Sequence, residues 1–171
     1  MKKPARKLRQ KGFTLVETAL AIALTGLIGL GAAMAIAEVT GQTSRNTDYT
    51  TLNQQTMNAV SWLGQDIQMA QTIAGADDFP ATDLELSWKW WDNSIYSVNY
   101  TLEDGSLVRN YSDGTHLTQT LVAEYISADA GQTYFLSDNG TVTLNITATL
   151  GEGAHSVSVT RVREVTARPH L

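Results

Sequence analysis

Residues 11–39 read KGFTLVETALAIALTGLIGLGAAMAIAEV, and past Lys11 this stretch carries a single acid, Glu17, before the next charge at Glu38. The uncharged run from Thr18 to Ala37 is about twenty residues, the length a helix needs to cross the hydrocarbon of a bilayer. A secretory signal peptide would use a shorter apolar core, roughly 7–15 residues, followed by a small-residue cleavage site. The stretch therefore reads as a helix that anchors the chain. Glu17 needs its own account, because an acid inside a membrane segment costs roughly 2.5–3.5 kcal/mol on insertion scales and is usually paired or functional. The simpler account puts Glu17 near the helix start, where the lipid interface is close and the helix dipole favours an anion.

Charge is divided sharply on either side of this segment. Residues 1–12 (MKKPARKLRQKG) hold Lys2, Lys3, Arg6, Lys7, Arg9 and Lys11 and no acid. That leaves 6 of the 12 basic residues and all 17 acids beyond Gly12, a net charge of 6 − 17 = −11 for the body. A basic head before an apolar helix is retained on the cytoplasmic side, beside anionic lipid. An acidic body argues against direct nucleic-acid binding, since phosphates would be repelled. With no cysteine in 171 residues, disulfides, thiolate nucleophiles and cysteine metal sites are excluded.

Gly12-Phe13-Thr14-Leu15-Val16-Glu17, behind a short basic leader and ahead of about twenty apolar residues, resembles the processing signal of type IV prepilins and type II secretion pseudopilins. The resemblance implies cleavage after Gly12 by a membrane prepilin peptidase and methylation of the new terminus at Phe13. It also implies an assembly role for Glu17, the acid at the fifth position of the mature chain, facing the terminal amine of a neighbouring subunit. An ion pair in a low-dielectric bundle is strongly attractive, and either charge buried alone is expensive, so such a pair favours one axial register.

Beyond Glu38 the composition turns polar, yet Val60, Leu63, Ile67, Ala70 and Ala74 recur at spacings of 3, 4, 3 and 4. That is one helical stripe. The pattern predicts one helix from about Phe13 to Ala74, its first half in lipid or filament core and its second under a globular head. Gly26, Gly29 and Gly31 let neighbouring helices approach closely, or weaken the helix by about 1 kcal/mol each. Many major pilins carry a proline in this helix; here none lies between Pro4 and Pro80, and close packing is the preferred reading.

From residue 84 the periodicity is two. LELSWKW sets Leu84, Leu86, Trp88 and Trp90 against Glu85, Ser87 and Lys89, and SVNYTL puts Val98, Tyr100 and Leu102 on one face. EDGS at 103–106 and SDNGT at 137–141 are hairpin turns, and GEGA leads into a closing strand. Strands after a single long helix predict an α+β, pilin-like fold with a largely antiparallel sheet. The expected organisation is a leader at 1–12, a transmembrane or filament-core half-helix at 13–39, an amphipathic half-helix at 40–75 and a β-rich head at 76–171. VNYTLEDGSLVRNY, with its Y-x-L…L-x-R hairpin, is similar to minor pseudopilins of the J type and minor pilins of the W type.

Enzymatic signatures are missing. The chain has no phosphate-binding G-x-x-x-x-G-K loop and no G-x-S-x-G elbow. His116, His155 and His170 lack metal-ligand spacing. Asp77, Asp78, Asp83 and Glu85 could supply calcium oxygens, as some pseudopilins do, but they follow no EF-hand pattern and a solvated turn is the simpler reading. No cofactor is otherwise expected. Sheet packing accounts for Trp88 and Trp90, whereas Trp91, out of phase, is the candidate for facing a partner. The resemblance implies a non-enzymatic subunit with its helix in the inner membrane and its head outside the cytoplasm. Its partners would be the prepilin peptidase, other pilins or pseudopilins and an inner-membrane assembly platform. The rival is an unprocessed, membrane-anchored binding or adhesion domain.

Overall fold

The computed structural model describes residues 13–76, 83–129, 131–151, 153 and 156–168. Among these residues one helix, α1 (Leu15–Met69), precedes eight strands: β1 (Thr72–Ala74), β2 (Asp83–Lys89), β3 (Ile95–Glu103), β4 (Ser106–Ser112), β5 (Leu117–Ala123), β6 (Tyr134–Asp138), β7 (Thr141–Leu150) and β8 (Val157–Thr166). The chain divides into two compact units, Met1–Ser44 and Arg45–Leu171. The architecture is the expected α+β arrangement of a long amino-terminal helix and antiparallel sheet.

In the first unit, α1 is apolar on every side and exposed throughout. It is long and apolar enough to cross a membrane. Its hydroxyls are quenched locally: Thr18 Oγ1 donates to Thr14 O at 3.0 Å and Thr25 Oγ1 to Ala21 O at 2.8 Å. Such back-bonding removes the cost of placing an unpaired hydroxyl among apolar groups. A Cβ added at Gly26, Gly29 or Gly31 would meet nothing within 4 Å, so these glycines serve no contact among the described residues of this chain.

In the second unit the helix buries one face, formed by Leu52, Thr56, Ala59, Val60, Leu63, Gly64, Asp66 and Ile67. The helix stops five residues before the expected Ala74. Gln71 leaves it to donate N–H to Ser87 O at 2.9 Å, and the Gln71 side chain brackets Lys89, accepting from its N–H at 3.0 Å. β-Branched Thr72 and Ile73 then pair with Ser87 and Leu86. Sheet pairing thus overrides a helical periodicity that Ala74 only happens to continue.

Two antiparallel sheets form where one was expected, ordered β1-β2-β3-β4-β5 and β6-β7-β8. The segment after β5 joins them: Ile126 donates to Gly105 O and bridges to Ala148, and Ser127 donates to Thr147 O, the two hydrogen bonds each 2.8 Å. β5 itself was not anticipated, since Leu117, Thr118, Gln119 and Leu121 are all exposed and its apolar face is limited to Val122 and Ala123. Both anticipated hairpins have two-residue turns with left-handed backbone, Asp104 and Gly105 at φ 47° and 75° and Asn139 and Gly140 at φ 48° and 77°. Asp-Gly and Asn-Gly are the pairs that tolerate this conformation at both positions.

One core lies beneath these layers. β2 contributes Leu84, Leu86 and Trp88 at alternate positions, β3 Val98 and Tyr100, and β7 Val142, Leu144, Ile146 and Ala148. They meet Leu52, Leu63 and Ile67 of α1 in a single cluster.

Candidate functional site

The amino-terminal site is built on the first turn of α1. Thr14 is its N-cap: Thr14 Oγ1 accepts the N–H of Glu17 at 3.2 Å, and Thr14 O accepts the N–H of Thr18 at 3.1 Å. Thr14-Leu15-Val16-Glu17 is thus a capping sequence, T-x-x-E, with Glu17 at the third helical position. The acid therefore stands where the positive end of the helix dipole favours it. Its carboxylate makes no salt bridge among the described residues. Phe13, just before the cap, is exposed. The T-x-x-E spacing was readable from the sequence but its capping role was missed.

A second polar constellation ties α1 to the larger sheet within the second unit. Asp66, 2% exposed, accepts from Arg109 Nε at 2.7 Å and Nη2 at 3.0 Å, and from the Tyr100 hydroxyl at 2.5 Å. Tyr100 and Arg109 face each other across β3 and β4, a register set by the Asp104-Gly105 turn. The guanidinium also lies 5.2 Å from the Trp62 ring centre and 5.1 Å from that of Tyr111. Burial works to lower the Arg109 pKa, but the hydrogen bonds and charge of Asp66 outweigh it and raise the value. Burial, reinforced by Asp66, holds the Tyr100 phenol far above its ordinary range. The arrangement is a bidentate, charge-assisted clamp that fixes helix register against sheet. It offers no open position for a substrate, since both partners of the carboxylate are spent on it.

Residues 7–33 match the family model described as the prokaryotic N-terminal methylation motif. This is an amino-terminal methylation motif. The match supports the type IV pilin and pseudopilin family, and it spans the end of the basic stretch, the Gly12–Phe13 bond, Glu17 and the start of the apolar helix. No curated protein matches the chain.

The other anticipated residues are scattered over the rest of the chain. Gly12, Asp77, Asp78, His155 and His170 lie outside the described residues. Asp83 and Glu85 alternate with buried Leu84 and Leu86 and project from β2 as exposed side chains. Among the described residues no three acidic or histidine side chains are grouped to hold a metal. His116 caps a turn with Asp113, whose carboxylate accepts the N–H groups of His116 and Thr115 at 2.7 and 2.9 Å. Those two backbone bonds hold Asp113 well below the usual carboxylate range.

Trp88 packs as expected, stacking on Tyr96 at 6.0 Å. Trp90 does not. It follows the end of β2 and is 50% exposed, because the chain turns there to bring Trp90 N–H onto Ser94 O at 2.9 Å. Trp91 is 86% exposed. Asp66 escaped the sequence reading, although it sits beside Ile67 on the stripe and Tyr100 and Arg109 were both in the Y-x-L…L-x-R hairpin.

Proposed function

We propose that this chain is a minor pilin or pseudopilin, a structural and assembly subunit of a type IV pilus-like or type II secretion filament. The observation that carries the reading is the methylation motif at 7–33 set on a helix that is apolar on every side and bears one acid in its first turn. Prepilin peptidase would cut after Gly12 and leave Phe13 as a methylated amine. The Thr14 cap lies wholly downstream of that bond, so the helix start survives the cut unchanged.

Cleavage also supplies the partner that Glu17 lacks among the described residues. The amine of a neighbour's Phe13 would neutralise the carboxylate in the apolar bundle, and only one axial offset brings the two together. An uncleaved subunit presents no such amine, and its six positive leader charges oppose withdrawal from the cytoplasmic face. The helix would sit as a single pass in the inner membrane with the head outside the cytoplasm, served by the assembly platform and flanked by other pilins. Such a subunit is structural, not enzymatic.

The experiment is intact-mass measurement of the chain from a host with a prepilin peptidase. Loss of residues 1–12 with one added methyl group is expected, and Gly12→Asp should retain the leader. Glu17→Gln should be trimmed normally but enter filaments poorly, because shape is kept and charge is lost. A full-length mass in the parent would favour the anchored binding domain instead. Normal assembly of both Glu17→Gln and Glu17→Ala would return Glu17 to its capping role alone.

A further inference from the structure

β8 is the outer strand of the three-stranded sheet and, among the described residues, pairs with β7 alone along all ten of its residues. Which of its backbone groups are free follows from the register. Ala167 N–H donates to Gly140 O at 2.8 Å, and Gly140 lies opposite Ala167, one step beyond the Thr141–Thr166 pair. Alternation then turns the N–H and C=O of Val165, Arg163, Arg161 and Val159 toward β7. Those of Thr166, Glu164, Val162, Thr160 and Ser158 point away from the sheet. The far side of β7 agrees, since Thr147 O and Thr149 N–H bond to Ser127 and Tyr125 rather than to β8.

This open edge borders a groove of about 560 Å³ whose walls include Met57 and Ser61 of α1 and Arg161, Val162 and Arg163 of β8. Arg161 and Arg163 project toward the helix. Arg161 donates from Nη2 to Asn53 Oδ1, while its Nε is buried with no hydrogen-bond partner among the described residues. The Arg163 guanidinium rests over Gly64, where an added Cβ would lie 3.2 Å from Nη1. Neither arginine has a salt bridge among the described residues. Val162, on the opposite face, is 65% exposed.

We propose that the β8 edge is a docking site for an extended, acidic segment of another protein, which adds as a further strand. Its backbone would bond to Thr160, Val162 and Glu164, its acidic side chains would alternate toward Arg161 and Arg163, and its apolar ones would cover Val162. Charge selects the occupant. A body of net charge −11 keeps two guanidinium groups without an acidic partner among the described residues, Arg161 held only by the neutral Asn53 amide, beside a line of outward backbone donors. Pairing of β8 with β8 of a second copy would set arginines near arginines, which is unfavourable. The inference does not depend on the amino-terminal processing.

The chain has no cysteine, so a single introduced cysteine reports cleanly. Full-length protein in detergent micelles, carrying a fluorophore on Thr160→Cys, is titrated with a ten-residue capped peptide alternating glutamate and valine. A matched peptide alternating lysine and valine is the control. Saturable binding of the acidic peptide only, weakening as salt is raised, is expected. Val162→Pro removes an outward N–H without touching the β7 ladder and should weaken binding about fivefold or more. Arg163→Glu, at an exposed side chain, should do so about fivefold through charge alone; it carries the test if the proline variant is misfolded. Equal binding of both peptides, binding unaffected by Arg163→Glu, or no binding would overturn the proposal and leave the arginines as guards of an edge. Self-association abolished by Val162→Pro would assign the edge to a second copy and overturn it equally.

Discussion

Replacing Asp66 by alanine removes the common acceptor of three hydrogen bonds and leaves the Arg109 guanidinium, whose side chain is 11% exposed, without its counter-charge. Breaking a buried ion pair from one side costs about 3–5 kcal/mol. Part of that is relieved here, because the guanidinium keeps the ring faces of Trp62 and Tyr111 at 5.2 and 5.1 Å, each contributing roughly 0.5–1 kcal/mol. A net loss of about 3 kcal/mol follows for Asp66→Ala. For a unit of this size that lowers the midpoint of thermal unfolding by about 10 °C. The assay is near-ultraviolet circular dichroism of the full chain in detergent, which reports the aromatic groups around Arg109. Asp66→Asn should lose less, since its amide oxygen can still accept from Tyr100 or Arg109. The double variant Asp66→Leu with Arg109→Met should return to within about 1 kcal/mol of the parent, because neither charge is then stranded. A midpoint change under about 3 °C for Asp66→Ala, or a double variant as damaged as the single one, would refute the reasoning.

Alkaline titration probes the same clamp through Tyr100. Its folded pKa is raised above the ordinary value of 10.0, so its contribution is complete below pH 10 and is lost as pH climbs beyond it. Denaturant midpoints between pH 8 and 11 should fall more steeply for the parent than for Tyr100→Phe. Gly64→Ala should be neutral or stabilising by up to about 1 kcal/mol in denaturant titration, because alanine favours the helix and the three nearest atoms all belong to the far end of the flexible Arg163 side chain. Gly105→Ala should destabilise by about 1–2 kcal/mol in the same titration, since φ 75° strains any Cβ. Thr14→Val, losing the cap hydroxyl that Glu17 N–H uses, should cost about 1 kcal/mol of helix stability, read as faster amide exchange at Glu17.

What could be read in advance was local. The apolar run after Glu17 declares a helix long and apolar enough to cross a membrane, because length and composition alone set that property. Asp104-Gly105 and Asn139-Gly140 declare hairpins, because left-handed backbone at two successive positions is a property of those residue pairs. Alternation in LELSWKW gave the inward face of β2, though only as far as Lys89. The methylation motif at 7–33 was equally legible, since such a motif is recognised as sequence.

Tertiary structure decided whatever depends on a distant partner. Thr72–Ala74 is a strand because β2 offers it free backbone groups, and those outweigh a helical spacing that is only suggestive. β5 exists because β4 has a second edge to fill. Asp66 gains its role only because the β3–β4 register places Tyr100 and Arg109 together over it, 34 and 43 residues away in the chain. A charge takes its meaning from what surrounds it, and for Asp66 the surroundings come from other strands. For Glu17 they lie in the first turn of its own helix, which is why the acid in the apolar run could be read directly while the buried one could not.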